Sequence, residues 1–272
     1  MKISIITPSY NQAQFIERTI LSVIMQSGDF EIEYIIMDGG STDGTLEIIK
    51  KYDDLIKNGK LKIKNKGIDF IWKSEKDKGQ SDAINKGLKL SCGDIVTYLN
   101  SDDTYLSGNL DLVVKYLGNS EKKWCYGKCI IIDKDDKEIR KWITFYKNFM
   151  GKKYSYAKIL SENFISQMTV FWKREILDEV GYFNENEHLC MDYEYWLRIG
   201  QKYDPIYIPE YLSNFRFYHT SKSGSMFSKQ FGDEFRLAKK YSEGKYKFSL
   251  ILHKFNYYKI IIIYEFLNIL KK

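Results

Sequence analysis

The sequence predicts an α/β protein: a doubly wound, mainly parallel sheet flanked by helices, with a small antiparallel section and a C-terminal helical extension. Three observations lead there. In residues 1–106, apolar β-prone runs alternate with stretches of helical period, the pattern of βαβ units. Carboxylates collect at three strand ends, at Asp38, at Glu75 and at the adjacent pair Asp102–Asp103, and ligands of open α/β sheets gather at such ends. The basic excess is confined to the tail. Residues 229–272 hold ten Lys/Arg against four Asp/Glu, which accounts for the whole net charge of +6.

The elements follow in order. "KISIITPSY" reads as a buried strand. "AQFIERTILSVIMQS" places Phe15, Ile16, Ile20, Val23 and Ile24 at helical spacing. "IEYIIMDGGSTDGT" is a strand ending in a turn, with Ser41 or Thr42 available to cap the helix of "DGTLEIIKKYDDLI". "DFIWKSE" is a third strand, "GQSDAINKGLKLSCG" a helix closed by Gly93, and "DIVTYLN" a fourth strand. In the second half, "WCYGKCIIID" and "KEIRKWITFY" read as strands joined by the turn "KDDK". "SQMTVFWKREILDEVGYFNE" reads as a strand and a short helix, "MDYEYWLRIGQKY" as a helix, and "YIPEYLSNFRFY" as extended chain.

Composition narrows the classes. The 272 residues suffice for one large domain, and three prolines leave no proline-rich linker. The cysteines Cys92, Cys125, Cys129 and Cys190 form no CxxC pair, so reduced thiols in a cytoplasmic protein are expected rather than a zinc site. The apolar run of "MKISIITPSYN" is too short for a signal peptide. The lysine clusters come with no recognition motif, so a nucleic-acid partner is not expected. No GxGxxG follows a strand, which argues against a dehydrogenase.

Five segments in order, "TPSYNQAQFIERTILSVIMQS", "IIMDGGSTDGT", "SEKDKGQSDAINKGL", "GDIVTYLNSDD" and "MDYEYWLR", resemble the family 2 glycosyltransferases of GT-A fold. The resemblance covers residues 1–220. It implies transfer of a sugar, with inversion, from a nucleoside diphosphate-sugar to an acceptor hydroxyl in polysaccharide or glycan assembly. It also implies a divalent cation, Mn²⁺ or Mg²⁺. A departing diphosphate builds up charge that such a cation neutralises, and hard cations take carboxylate oxygens.

By that resemblance "NSDD" is the metal-binding element, with Asp103 the first choice as ligand and Asp102 on the ribose or a metal-bound water. Pro8, Ser9 and Tyr10 are expected to hold the nucleotide, and Asp38 its base or ribose. Many members carry two consecutive Asp at that point, and this chain has Gly39 at the second. A UDP-sugar is therefore expected, with guanosine and thymidine donors left open. Glu75, Asp77, Gln80, Asp82 and Asn85 are further candidates around a helix N-terminus, which favours anionic groups. An acceptor hydroxyl needs a carboxylate base within reach. The family pattern puts it at Asp192, with Glu194 the alternative. His219 is the remaining candidate metal ligand, on a loop with Arg216 and Ser221 to Ser225 that could close over the donor. His188 and His253 are read as structural, and Trp142, Trp172 and Trp196 as core or acceptor-cleft residues.

Residues 1–225 are thus expected to be the catalytic domain and 226–272 a basic, aromatic helical extension. Lys254, Lys259 and Glu265 interrupt the apolar tail, which excludes an ordinary spanning helix. Two readings stand. The tail is a helix in the membrane interface, which would suit a lipid-linked acceptor and a peripheral place on the inner face of the cell membrane. Otherwise it packs on the catalytic domain or on a second subunit, as in a homodimer. The chain lacks the QxxRW motif of processive synthases, so addition of a single sugar is expected. The competing functional readings are a silent nucleotide-sugar-binding scaffold of the same fold and a nucleotidyltransferase; the second would show a glycine-rich basic loop where this chain has "TPSYNQ".

Overall fold

The computed structural model describes residues 1–218 and 227–269. One eight-stranded sheet organises the chain, in the spatial order β3-β2-β1-β4-β7-β6-β8-β5. The first half supplies β1 (Lys2–Ser9), α1 (Ile16–Ile24), β2 (Glu31–Asp38), α2 (Thr45–Lys57), β3 (Gly67–Ser74), α3 (Gln80–Leu90) and β4 (Ile95–Tyr98). Strands β3, β2, β1 and β4 are mutually parallel, as the alternation of periods predicts. The second half adds β5 (Thr104–Tyr105), α4 (Asn109–Val113), β6 (Trp124–Ile132), α5 (Lys141–Gly151), α6 (Tyr156–Ser161), β7 (Phe171–Lys173), α7 (Glu175–Val180), α8 (Met191–Gly200) and β8 (Ile206–Arg216). Here β7 runs antiparallel to both β4 and β6, and β5 antiparallel to β8. The described chain ends with α9 (Phe227–Tyr241) and α10 (Lys247–Ile269).

Alternating side chains of the central strands feed two apolar layers. In β2, Ile32, Tyr34 and Ile36 join α1 and α2 on one face. Ile35 and Met37 join α3 and α8 on the other. Both faces are covered, which is why these strands read as continuous apolar runs. Helix α3 lies close on β1: a Cβ at Gly87 would stand 2.5 Å from Ile6 Cγ2.

The sheet order places a crevice between the carboxyl ends of β1 and β4, where the winding reverses. Pro8 marks the spot. The β1–β4 ladder ends at Ile6↔Tyr98, with Leu99 N donating to Ile6 O. Pro8 points the same way as Ile6 but beyond the end of β4, so its missing N–H removes no ladder bond.

Some expected elements are corrected. "KEIRKWITFY" is not a strand: after a single bridge at Glu138 the chain enters α5. Its Trp142, Phe145 and Phe149 sit at helical spacing, and that periodicity prevails over their β propensity. Neither Ser41 nor Thr42 caps α2, whose N-cap is Gly44; Ser41 is engaged with Asp38 instead. Helix α3 ends at Leu90, short of Gly93. Of the two readings of the extension, the described contacts are those of packing on the catalytic domain. Leu237 and Ala238 of α9 lie in the same apolar cluster as α8, and His253 of α10 is buried with Nδ1 2.9 Å from Leu160 O of α6.

Candidate active site

A cleft of about 1020 Å³ opens at the β1–β4 crevice, of a size to hold a ligand larger than a mononucleotide. Its floor on one side is the turn after β1. Asn11 there adopts left-handed φ (+52°), a conformation Asn tolerates better than most residues. Its N–H donates to Ser41 Oγ at 2.7 Å and its Oδ1 accepts from Thr42 N at 2.9 Å. The two loops thereby lock together, and Pro8, Ser9 and Tyr10 face the cleft. Tyr10 is 62% exposed and free to stack on a planar ligand.

Opposite β1, the end of β4 is held by a buried arginine. Arg216 is 1% exposed. Its backbone N–H reaches Asp103 Oδ1 at 2.8 Å, its Nε reaches Asp102 O at 2.8 Å, and its guanidinium continues to Asp133 O and Asp136 Oδ1 at 2.7 and 2.5 Å. A buried guanidinium needs every donor used, and here they tie the acidic strand end to the turn after β6. Arg216 therefore belongs to β8 and the core, not to a loop over the donor.

The carboxylate pair divides between surface and interior. Asp102 faces the cleft, with Oδ2 accepting from Tyr218 OH at 2.9 Å. Asp103 is 1% exposed and accepts from Arg216 N and, at 3.3 Å, from Asn100 Nδ2. Burial and the neighbouring Asp102 charge hold its carboxyl well above the usual range. The geometry thus favours Asp102 over Asp103 as the residue presented to a ligand, the reverse of the order expected from sequence.

The remaining candidates separate in the same way. Asp77 and Gln80 line the cleft, and Gln80 Nε2 donates to Asn100 Oδ1 at 2.6 Å. Gly79 permits the turn between them, at φ +124°. Asp38 does not face the cleft. It is 2% exposed, its Oδ2 accepting from Gly40 N (3.0 Å), Ser41 N (2.9 Å) and Ser74 Oγ (2.7 Å), and its Oδ1 from Ser41 Oγ (2.5 Å). It braces the loop under the site. Glu75 pairs with Lys86 on the surface at 3.0 Å. Asp82 accepts from Lys78 N at 2.9 Å, the contact that chiefly holds its carboxyl down, and also meets Lys86. Asn85 clamps the backbone of Phe183 through both amide atoms, at 2.9 and 3.0 Å. These four residues support the site from outside it. His219 and Ser221 to Ser225 lie outside the described residues.

Gly39 has a structural reason. A Cβ there would stand 2.6 Å from Asp77 Oδ2 and 3.4 Å from Tyr10 Cδ2. Asp77 occupies the space that an acidic side chain at position 39 would need.

Asp192, in the first turn of α8, reaches the same cleft half-buried, with Oδ1 accepting from Tyr193 N at 2.8 Å. Burial raises its carboxyl, countered by that N–H and by Lys147. Glu194 does not reach the cleft. It is 2% exposed, ion-paired with Arg198 at 2.9 Å and hydrogen-bonded by Tyr241 OH.

Sequence reasoning missed Glu234 of α9. Its side chain lies on the cleft wall, 4% exposed, and Oε1 accepts from Asn163 Nδ2 at 3.2 Å and Gln230 Nε2 at 3.3 Å. Burial pushes its carboxyl up to about 7. "GDEFRLAKKY" reads as an ordinary amphipathic helix, so only the fold reveals the inward carboxylate. His188, expected to be structural, is exposed on the cleft wall, and Trp142 lies at the cleft while Trp172 and Trp196 are core.

Asp102 offers the cleft a carboxylate, a donor that suits a hard dication such as Mg²⁺ or Mn²⁺. Among the described residues no cluster of three or more His, Cys, Asp or Glu could hold a metal by itself. The chain fits such an ion as a partial ligand set, to be completed by diphosphate and water, as Mg²⁺ sites commonly are.

A cleft at the winding reversal of a parallel sheet, walled by carboxylates from β4 and from a later helix, is where open α/β proteins bind their ligands. Residues 4–181 match the model of glycosyl transferase family 2, and the chain belongs to that family. An uncharacterized glycosyltransferase of Mycoplasma genitalium is 31% identical over 196 residues, 68% of this chain. The chain spans 59% of that relative's length. TuaG of Bacillus subtilis, a glycosyltransferase with a proposed part in teichuronic acid biosynthesis, is 27% identical over 82% of each chain. The fold is GT-A. S. aureus TarS in complex with UDP-GlcNAc superposes with a TM-score of 0.66 at 18% identity, over 90% of this chain and 67% of that one. The mannosyltransferase PcManGT of Pyrobaculum calidifontis, in complex with GDP-Man and Mn²⁺, gives 0.62 at 18% identity, over 93% and 72%.

Proposed function

We propose that the protein transfers one sugar, with inversion, from a nucleoside diphosphate-sugar to an acceptor hydroxyl in polysaccharide or glycan assembly. One observation carries this reading: a single cleft joins Asp102 after β4 to Asp192 at the start of α8, with the β1 turn between them as nucleotide platform. Tyr10 stacks on the base, and Asp77 accepts from a ring N–H. Uracil and guanine both offer such a donor, so a UDP-sugar is expected and a GDP-sugar fits the same contact.

Asp192 takes the proton of the acceptor hydroxyl as its oxygen bonds to the anomeric carbon, and the nucleoside diphosphate leaves from the other face. A carboxylate raised by burial is a stronger base than an exposed one, provided it stays ionised. Asp102 would hold the divalent cation, and Asp103, Arg216 and Tyr218 fix the backbone and carboxylate that present it. When bound, the cation supplies charge neutralisation at the leaving diphosphate. Donor relatives bound in TarS and PcManGT, a UDP-sugar and a GDP-sugar with Mn²⁺, support the substrate class.

The test is the melting temperature with UDP, GDP and dTDP, with and without Mn²⁺ or Mg²⁺. At least one nucleotide should stabilise the protein more strongly with metal, and Asp102→Asn should abolish the metal-dependent part. Stabilisation by none of the nucleotides would overturn the reading. Loss with Asp103→Asn but not Asp102→Asn would return the ligand role to Asp103.

A further inference from the structure

The described part of α10 is two-faced. Ser249 and His253 are buried and Asn256 bonds to Ser161 O at 3.2 Å, a repeat of four and three residues that seats one face on α6. The opposite face carries Phe248, Ile251, Leu252, Phe255 and Tyr258, exposed by 38–72%. Helix α5 repeats the arrangement. Trp142 is 84% exposed, Phe145 64% and Phe149 56%, and the three rings line up at centroid spacings of 6.5 and 6.2 Å. Nine of the fifteen exposed large apolar side chains among the described residues lie on these two helices. They are neighbours: Lys259 Nζ of α10 sits 5.1 Å from the Tyr146 ring of α5.

The charge along these helices is predominantly positive, with Glu138 and Glu162 at its edges: Glu138 pairs with Lys141 at 3.8 Å, and Glu162 accepts from Tyr146 OH at 2.7 Å and Asn256 Nδ2 at 3.4 Å. Residues 139–161 contain six Lys/Arg and no Asp/Glu, and residues 244–264 contain four Lys and no Asp/Glu. An apolar, aromatic surface ringed by lysine is the complement of an anionic lipid interface: the rings enter the acyl boundary while the ammonium groups meet phosphates. A partner protein with an apolar interface would not require this excess of lysine. The patch also has a place in the site. Tyr146 and Lys147 of α5 and Tyr257 and Lys259 of α10 line the cleft, so the two helices frame one of its walls.

We propose that α5 and α10 together form a docking face for an anionic membrane surface, which brings the cleft wall that they frame against the lipid headgroups. The proposal deepens the transferase reading, on which the acceptor role of that wall rests, by placing the acceptor on a membrane-held carrier. No helix among the described residues is long and apolar enough to cross a membrane. The contact is therefore lateral and reversible in character, built from two short faces rather than a span.

The test is binding of the full chain to vesicles of phosphatidylcholine with or without phosphatidylglycerol, with no donor present, so that its failure is separate from a failure of transfer. Trp142 is the intrinsic reporter: Trp124, Trp172 and Trp196 are buried and Trp72 is partly so. Anionic vesicles should shift its emission to the blue and sediment the protein, and Trp142→Phe should sediment with no shift. Phe145→Ser/Phe149→Ser and, separately, Ile251→Ser/Phe255→Ser should each weaken binding at least tenfold with an unchanged melting temperature. Charge removal at Lys141, Lys152 or Lys254 should cost roughly fivefold each. Three results would overturn the proposal: no sedimentation of wild type with anionic vesicles, equal binding to neutral ones, or a lipid-free dimer in light scattering that both apolar double variants dissolve.

Discussion

Glu234→Gln should stabilise the protein in a way that depends on pH. The buried carboxyl is raised from an ordinary 4.5 to about 7, chiefly by desolvation. Below pH 4.5 it is protonated in both the folded and the unfolded chain and has no net effect. Between 4.5 and 7 the unfolded chain releases the proton while the folded one keeps it, so wild-type stability is lost as pH rises, and above 7 the loss is constant. A shift of this size is about 3 kcal/mol at its limit, most of which develops between pH 5 and pH 8. Glutamine keeps an oxygen where Oε1 accepts from Asn163 and Gln230, so its own stability carries no such term. Calorimetric melting of both proteins from pH 5 to 8 should show the variant gaining on wild type by about 5 °C for a chain of this size. Parallel curves would refute the burial of an ionisable Glu234 on the cleft wall.

Two further substitutions test the loops under the site. Asp38→Ala removes a carboxylate that accepts four hydrogen bonds and should cost about 3–5 kcal/mol, since bonds to charged groups are the strong ones; unchanged stability with lost nucleotide binding, measured by melting and titration, would make Asp38 a ligand contact instead. Gly39→Asp sets a Cβ 2.6 Å from the mobile end of Asp77. Asp77 can yield, so the melting temperature without nucleotide should hold to about 2 °C, while the nucleotide Kd rises at least tenfold; an unchanged Kd would remove Asp77 from the base-reading role.

The sheet and its crevice were legible because period and turn chemistry are local properties. "KISIITPSY" and "DIVTYLN" end where the strands end, and the carboxylates at those ends mark the crevice. Which of them faces it was not legible. Asp38 ends its strand and Asp77 follows the next one, each beside a glycine-containing turn, but the amides of Gly40 and Ser41 curl back to claim Asp38, while Gly39 leaves room for Asp77. Asp102 and Asp103 are adjacent, and only the arrival of β8 with Arg216, more than a hundred residues later, fixes which one turns inward. Glu234 was hidden for the same reason: Asn163 meets it only through the fold, and its one local partner, Gln230 a turn earlier on α9, does not distinguish it from a solvated helix acid. In α5, aromatic and β-branched residues imitate a strand, and their four-residue spacing became informative only with the exposed ring ladder in view.

The central claim is that Asp192 acts on the acceptor while the donor is held by other elements. Donor affinity and transfer rate of Asp192→Asn, measured side by side by calorimetric titration and product formation with the same nucleotide-sugar, test it most directly. A Kd within about threefold of wild type is expected, with a transfer rate lowered by about 10³, in the middle of the range that general-base catalysis ordinarily contributes. Transfer at a rate near wild type would contradict it.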